Sequence, residues 1–178
     1  ATGNILNEID HQPAVNLYKE YFAKEIPEPK RQMPRLHASY PLGIGVAGKK
    51  EYLLRSVMSI LQDGSLVFHG DIPEESPIRL MIGSKESWLL STRRAAETAM
   101  RNMAKKKIRF AFVLNSLARY TLLGRLAGQE IKIIKDILGQ DTPIAGIYTS
   151  TEQGPMSSID YLGRAYIHNN SITVLTIA

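Results

Sequence analysis

Apolar positions along the chain fall into short runs whose period changes several times, so helices and strands can be placed before any residue's chemistry is considered. Asn4 to Asp10 alternates well enough for a short strand, with Ile5 and Ile9 on related faces. Pro13 suits the first turn of a helix, with a stripe of Ala14, Leu17, Tyr18, Tyr21, Phe22 and Glu25 that Pro27 and Pro29 stop. Glu28 to Pro34 is a charged, proline-bearing loop, and Leu36 to Val46 reads as extended chain broken by Pro41. Tyr52 to Leu61, Ser65 to Gly70 and Ile78 to Ile82 read as a three-stranded meander, its first turn at Asp63-Gly64. Ser84 is a helix N-cap, with Glu86 in the first turn behind it. That helix carries Trp88, Leu89, Ala95, Ala96, Met100 and Met103 on one side and ends in a lysine run. Ile108 to Leu114 is apolar except for Arg109 and reads as a central strand. Asn115 to Leu123 has no clear period. A helix follows from Arg125 to Leu138, with Ile134 and Ile137 on its buried face and Gly139 at its end. Ile144 to Thr149 is a strand, Ser150 to Gly163 a polar loop, and Ala165 to His168 with Ile172 to Ile177 a hairpin turned by Asn169-Asn170. The expected fold is α/β, mixed and α+β-like: a mixed sheet of about six to eight strands with at least two or three helices packed on it.

Composition narrows the function classes. The chain has 178 residues, 44% hydrophobic and 22% charged, which suits a single domain over residues 1–178 with a real core. It has no cysteine, which excludes disulfides, thiolate metal sites and a cysteine nucleophile. No apolar run approaches the roughly 20 residues that span a bilayer, and the first residues lack a signal-peptide pattern. The chain starts at Ala1 rather than Met, which reads as a piece of a longer protein or a start with residues added ahead of it. The net charge of +5 sits largely in Lys30 to Arg35 and in Lys105 to Arg109. No aromatic residues are interleaved with these runs, so they read as a solvated loop and a helix C-terminus rather than a nucleic-acid surface.

Candidate chemistry is sparse. Gly43, Gly45 and Gly48 match GxGxxG, but the segment that follows reads as strand rather than helix, so a phosphate loop is a weak reading. His11, His37, His69 and His168 show no metal-ligand spacing. There is no GxSxG elbow, although a triad assembled in space stays open. Asp71, Glu74 and Glu75 sit in a proline-bearing turn and suit turn-building.

The order of motifs resembles the C-terminal half of the FIST module. Glu8 to Ala14 with Leu17-Tyr18 is similar to that domain's opening strand and helix, and Tyr40 to Gly43 to its next strand. Gly64 to Ser76 resembles the family's strand, Gly-Asp turn and Pro-Glu-Gly-Ser-like turn, with Glu75 in place of the usual glycine. Asn115 to Arg119 stands where a Ser-Cys-x-x-Arg pattern is common, without the cysteine. Pro143 to Thr149 with Glu152 resembles a Gly-x-Tyr-Thr-x-Gly-Glu motif, and His168 to Ser171 a closing His-Asn-x-Thr turn.

The resemblance implies a cytoplasmic sensory input domain, not an enzyme. It would take a small ligand such as an amino acid and be coupled to an output domain such as a kinase, a cyclic-dinucleotide enzyme or a chemotaxis domain. Polar residues at strand ends are then the candidate ligand contacts. Asp71 and Ser76 offer an acceptor and a hydroxyl, Arg119 a fork for a carboxylate, Tyr148, Thr149 and Glu152 a polar wall, and Glu152 a partner for an ammonium group. An Arg–Glu structural ion pair is the competing reading. A haem-bound nitric-oxide sensor with His168 as axial ligand, and a hydrolase or transferase with an unrecognised site, are the alternatives from other classes.

Overall fold

The computed structural model describes residues 1–22, 39–46, 51–104, 106–156 and 165–178. Pro27 and Pro29, the loop Glu28 to Pro34, His37, Gly48, Lys105 and residues 157–164 of the expected polar loop lie outside them. The chain divides into two compact units, Ala1–Ile82 and Gly83–Ala178. The fold is α/β with both parallel and antiparallel strand pairs, and its strands are distributed over small sheets of two or three.

In the first unit, the run expected as one strand from Asn4 to Asp10 is split into β1 (Ile5–Leu6) and β2 (Glu8–Ile9). The split has a cause in pairing: β2 turns back on β3 (Gln12–Pro13) through Asp10 and His11, both at positive φ, while β1 pairs elsewhere. Pro13 is therefore in a strand, and the helix α1 (Val15–Phe22) starts two residues later. It buries Val15, Tyr18 and Phe22, leaving Tyr21 exposed, because i, i+3, i+7 is the face that meets the core.

Two further expectations for this unit need correction. Tyr52 to Leu61 is two strands, β5 (Tyr52–Arg55) and β6 (Val57–Ile60), and they join different sheets. β6 forms the expected hairpin with β7 (Leu66–Phe68) around Asp63-Gly64, where Gly64 has φ 88° and the Asp63 carboxylate accepts from Ser65 N at 2.9 Å. β8 (Ile78–Leu80), however, pairs with β4 (Leu42–Gly45) and not with β7, so there is no meander; the sheet order is β5-β4-β8. Gly43 and Gly45 lie inside β4, where an added Cβ would meet Met81 at 2.9 Å and Pro77 at 2.8 Å respectively. These two glycines serve close strand packing, which answers the phosphate-loop reading for them.

The second unit is built on a three-stranded mixed sheet of order β10-β9-β13. β9 (Phe110–Ser116) is central, as expected from its apolar run, with β10 (Ile144–Thr149) parallel and β13 (Ile172–Ile177) antiparallel to it. Helices α2 (Lys85–Asn102) and α4 (Gly128–Leu138) pack on each other and on the sheet. Their shared core is Ala96, Ala111, Val113, Ile134 and Leu138. Ser84 caps α2 by accepting from Ser87 N at 3.1 Å, while Ser87 Oγ accepts from Ser84 N, a capping box with serine in the glutamate's place. The stretch without a clear period is the end of β9 followed by α3 (Leu117–Leu123) and a short 3-10 turn. The expected polar loop contains β11 (Glu152–Gly154), which pairs with β12 (Tyr166–His168). The predicted hairpin of the last two strands is thus overturned: Asn169-Asn170 carries the chain from one sheet to another, with Asn170 at φ 55°.

Candidate functional site

The candidate residues divide between the units. Asp71 and Ser76 lie in the turn between β7 and β8 of the first unit, where the Asp71 carbonyl accepts from Arg55 Nε at 2.9 Å. Arg119, Tyr148, Thr149, Glu152 and His168 belong to the second unit.

In the second unit, polar chemistry concentrates at the carboxyl ends of the parallel strands β9 and β10. The register sets Tyr148 beside Asn115 and Thr149 beside Ser116. Successive residues of a strand face opposite ways, so these two pairs address opposite faces of the sheet.

The helix face carries a buried charged network. Arg119 on α3 is 2% exposed and Glu130 on α4 is 0% exposed. Arg119 Nε donates to Glu130 Oε1 at 3.1 Å, and its Nη2 forms the ion pair with the same oxygen. Nη2 also donates to Thr92 Oγ1 and to the Trp88 carbonyl, each at 2.8 Å, and Nη1 donates to Ser91 Oγ at 3.0 Å. The Glu130 carboxylate further accepts from Thr92 Oγ1 at 2.8 Å and from Asn115 Nδ2 at 2.7 Å. Arg119 is therefore the partner of Glu130, and the network ties α2, α3 and α4 to the end of β9. Around it, the Tyr120 and Tyr148 rings lie 4.9 Å apart, both about half exposed. Burial first, then the Glu130 carboxylate, then Tyr120 raise the Tyr148 phenol above its ordinary range.

The opposite face is organised by Glu152, which is 0% exposed. Its carboxylate accepts from Thr149 Oγ1 at 3.1 Å, from Ser171 N at 3.2 Å and from Ser171 Oγ at 3.0 Å. Ser116 adds a side-chain hydrogen bond, and no cation among the described residues pairs with the carboxylate. One carboxylate thus joins the ends of β9 and β10 to the start of β13. Burial raises its pKa above the usual carboxylate range, outweighing the hydrogen bonds from Ser171, Thr149 and Ser116. His168 is its register partner across β11 and β12, and His168 Nε2 lies 3.0 Å from the Gly154 carbonyl oxygen. That nitrogen is engaged by the backbone and is not presented as an axial ligand to a haem. Among the described residues, no group of three or more His, Cys, Asp or Glu could hold a metal ion. Nor is any helix among them long and apolar enough to cross a membrane.

Sequence reasoning missed Glu130, Thr92 and Tyr120. Glu130 had a signal: it stands four residues before Ile134 and eight before Leu138, on the apolar stripe of α4, where a carboxylate needs a partner. Thr92 likewise continues the stripe of Ala96 and Ala99.

No curated protein and no solved structure matches the chain. The sequence pattern of the FIST C domain matches residues 14–155, which span both units. With that match over most of its length, the chain belongs to the FIST C domain family, a family of sensory domains associated with signal transduction.

Proposed function

We propose that this chain is a non-enzymatic, cytoplasmic input domain that reads a small molecule at the carboxyl ends of β9 and β10. It would pass the result to an output domain such as a kinase, a cyclic-dinucleotide enzyme or a chemotaxis domain, in the same or a partner protein. The observation that carries this reading is the pairing of two buried polar networks at one edge of a parallel strand pair. Ligands of open α/β sheets collect outside the carboxyl ends of parallel strands. A buried ion pair adds little net stability over an apolar core of the same volume, so its presence at that edge favours a positioning role.

In this reading Arg119 and Glu152 frame the site, since their hydrogen bonds are spent inside the protein, and Tyr148 makes the contact. A sensor reports only if its ligand prefers one conformation. Tyr148 and Thr149 are consecutive on β10, so a ligand that shifts the strand backbone at Tyr148 would also move Thr149, whose Oγ1 donates to Glu152, the acceptor of the Ser171 hydroxyl. Asp71 and Ser76 have no part in this proposal.

Mass spectrometry of molecules carried through purification, followed by calorimetry with the one identified, tests it. Tyr148→Ala is expected to weaken binding at least tenfold while the chain keeps its melting temperature within a few degrees, because the side chain is 43% exposed. Undiminished binding by a folded Tyr148→Ala chain would remove the site from this edge.

A further inference from the structure

We infer that the ligand of this edge is a neutral planar group bearing an N–H donor, which lies against the Tyr120–Tyr148 pair and donates to Asn115 Oδ1. The inference rests on the location proposed above and adds the chemical class.

Asn115 is 3% exposed, and its Oδ1 is the one fully buried side-chain polar atom among the described residues that finds no hydrogen-bond partner. The amide's orientation is fixed by chemistry: the Glu130 carboxylate only accepts, so Nδ2 must face it and Oδ1 must point away. Buried carbonyl oxygens are ordinarily satisfied, and an orphan asks for an explanation. The donors of the Arg119–Glu130 network are committed elsewhere. Thr92 Oγ1 and Arg119 Nε both donate to Glu130, and Arg119 Nη2 serves Glu130, Thr92 and the Trp88 carbonyl. The missing donor therefore comes from outside the network.

The neighbourhood specifies what else that donor carries. Tyr148 is the in-register neighbour of Asn115 on β10, and its ring contacts Tyr120 at a tilt of 55°. A half-exposed pair of aromatic rings, one of them in register with the residue that carries the orphan acceptor, suits a flat group that stacks while its N–H is captured. Charge argues against an anion. Arg119 is neutralised by Glu130, and the acceptors Asn115 Oδ1, the Glu130 carboxylate and the tyrosine ring faces would repel a carboxylate or phosphate. Oδ1 has no solvent contact, so the side chains around it must move for the ligand to reach it.

The test uses the full chain labelled with 15N and tyrosine-ring 13C. The probes are indole and 2-pyridone, each beside its N-methyl analogue, with glycine and acetate as charged controls. Indole or 2-pyridone is expected to shift the Asn115 side-chain amide and the Tyr120 and Tyr148 ring signals, with the N-methyl analogue at least tenfold weaker. Tyr120→Ala, a surface change, should weaken the N–H probes in a folded chain. Equal binding of the N–H and N-methyl forms, no shift at the probes' solubility limits, or a bound water at Asn115 Oδ1 that persists in their presence would each overturn the inference. If glycine or acetate instead shifts these signals and Tyr148→Ala abolishes it, the ligand class falls while the site stands. If a co-purified molecule still binds Tyr148→Ala and no probe shifts the tyrosines, both fall.

Discussion

Glu75 has φ 57°, a left-handed conformation that costs an ordinary residue about 1–2 kcal/mol and glycine almost nothing. Glycine would hold this conformation without that cost. Glu75→Gly is expected to stabilise the chain by about 0.5–1 kcal/mol, the relieved strain less the added freedom of the unfolded chain, measured as a higher urea midpoint with an unchanged slope. Glu152 makes a second residue-scale prediction. Its folded pKa is raised, so the folded state holds the proton more tightly than the unfolded state does. The resulting stability is fully present below the unfolded pKa and is lost as pH rises through the folded value. Denaturant melts at pH values rising from the ordinary carboxylate range should lose that contribution in the wild type, and Glu152→Gln should flatten the loss. A Glu152→Gln profile that tracks the wild type would assign the slope to other groups. The candidate status of Glu152 and Tyr148 was legible in the sequence through motif resemblance. The partner of Arg119 was not, because Glu130 lies eleven positions away on another helix and only packing brings the two together.

At the scale of elements, the Arg119–Glu130 pair is the fastener of the second unit. It holds the short helix α3 against α2 and α4, where α3 alone is too brief to be stable. Removing one partner leaves the other charged and buried, so Arg119→Ala is expected to destabilise by about 3–5 kcal/mol. Replacing both, as Arg119→Met with Glu130→Leu, should recover most of that loss in equilibrium melts. A double variant as unstable as the single would mean that Thr92, Asn115 and Trp88 depend on the charges themselves. The elements differ in how well the sequence foretold them. β10, the cap at Ser84, the central place of β9 and the glycine end of α4 were each written in local chemistry. Strand partners were not. β5 and β6 part at Ser56, β8 finds β4 and not β7, and β12 leaves β13 for β11, because pairing is settled between segments distant in sequence.

For the whole molecule, the net charge is +5. Arg93, Arg94, Arg101, Lys106, Lys107 and Arg109 are exposed, with no aromatic platform among them and Glu97 set between. Any attraction to a nucleic acid is then of the counterion-release kind. A fluorescent duplex should bind only at low ionic strength and show no complex at about 150 mM salt. Retained binding at that salt would point to a built nucleic-acid surface. The sequence by itself determined the mixed α/β class, the positions of most helices and strands and, through a run of motifs, the family. Local propensity, capping chemistry and hydrophobic period are properties of neighbouring residues and need no partner to be read. Tertiary structure alone decided that Arg119 belongs to Glu130, that Glu152 is fully buried among hydroxyls, and that Asn115 keeps an unanswered acceptor beside two tyrosines. Each depends on which surfaces exclude water together, and burial is a property of assembled elements that no single stretch of chain carries.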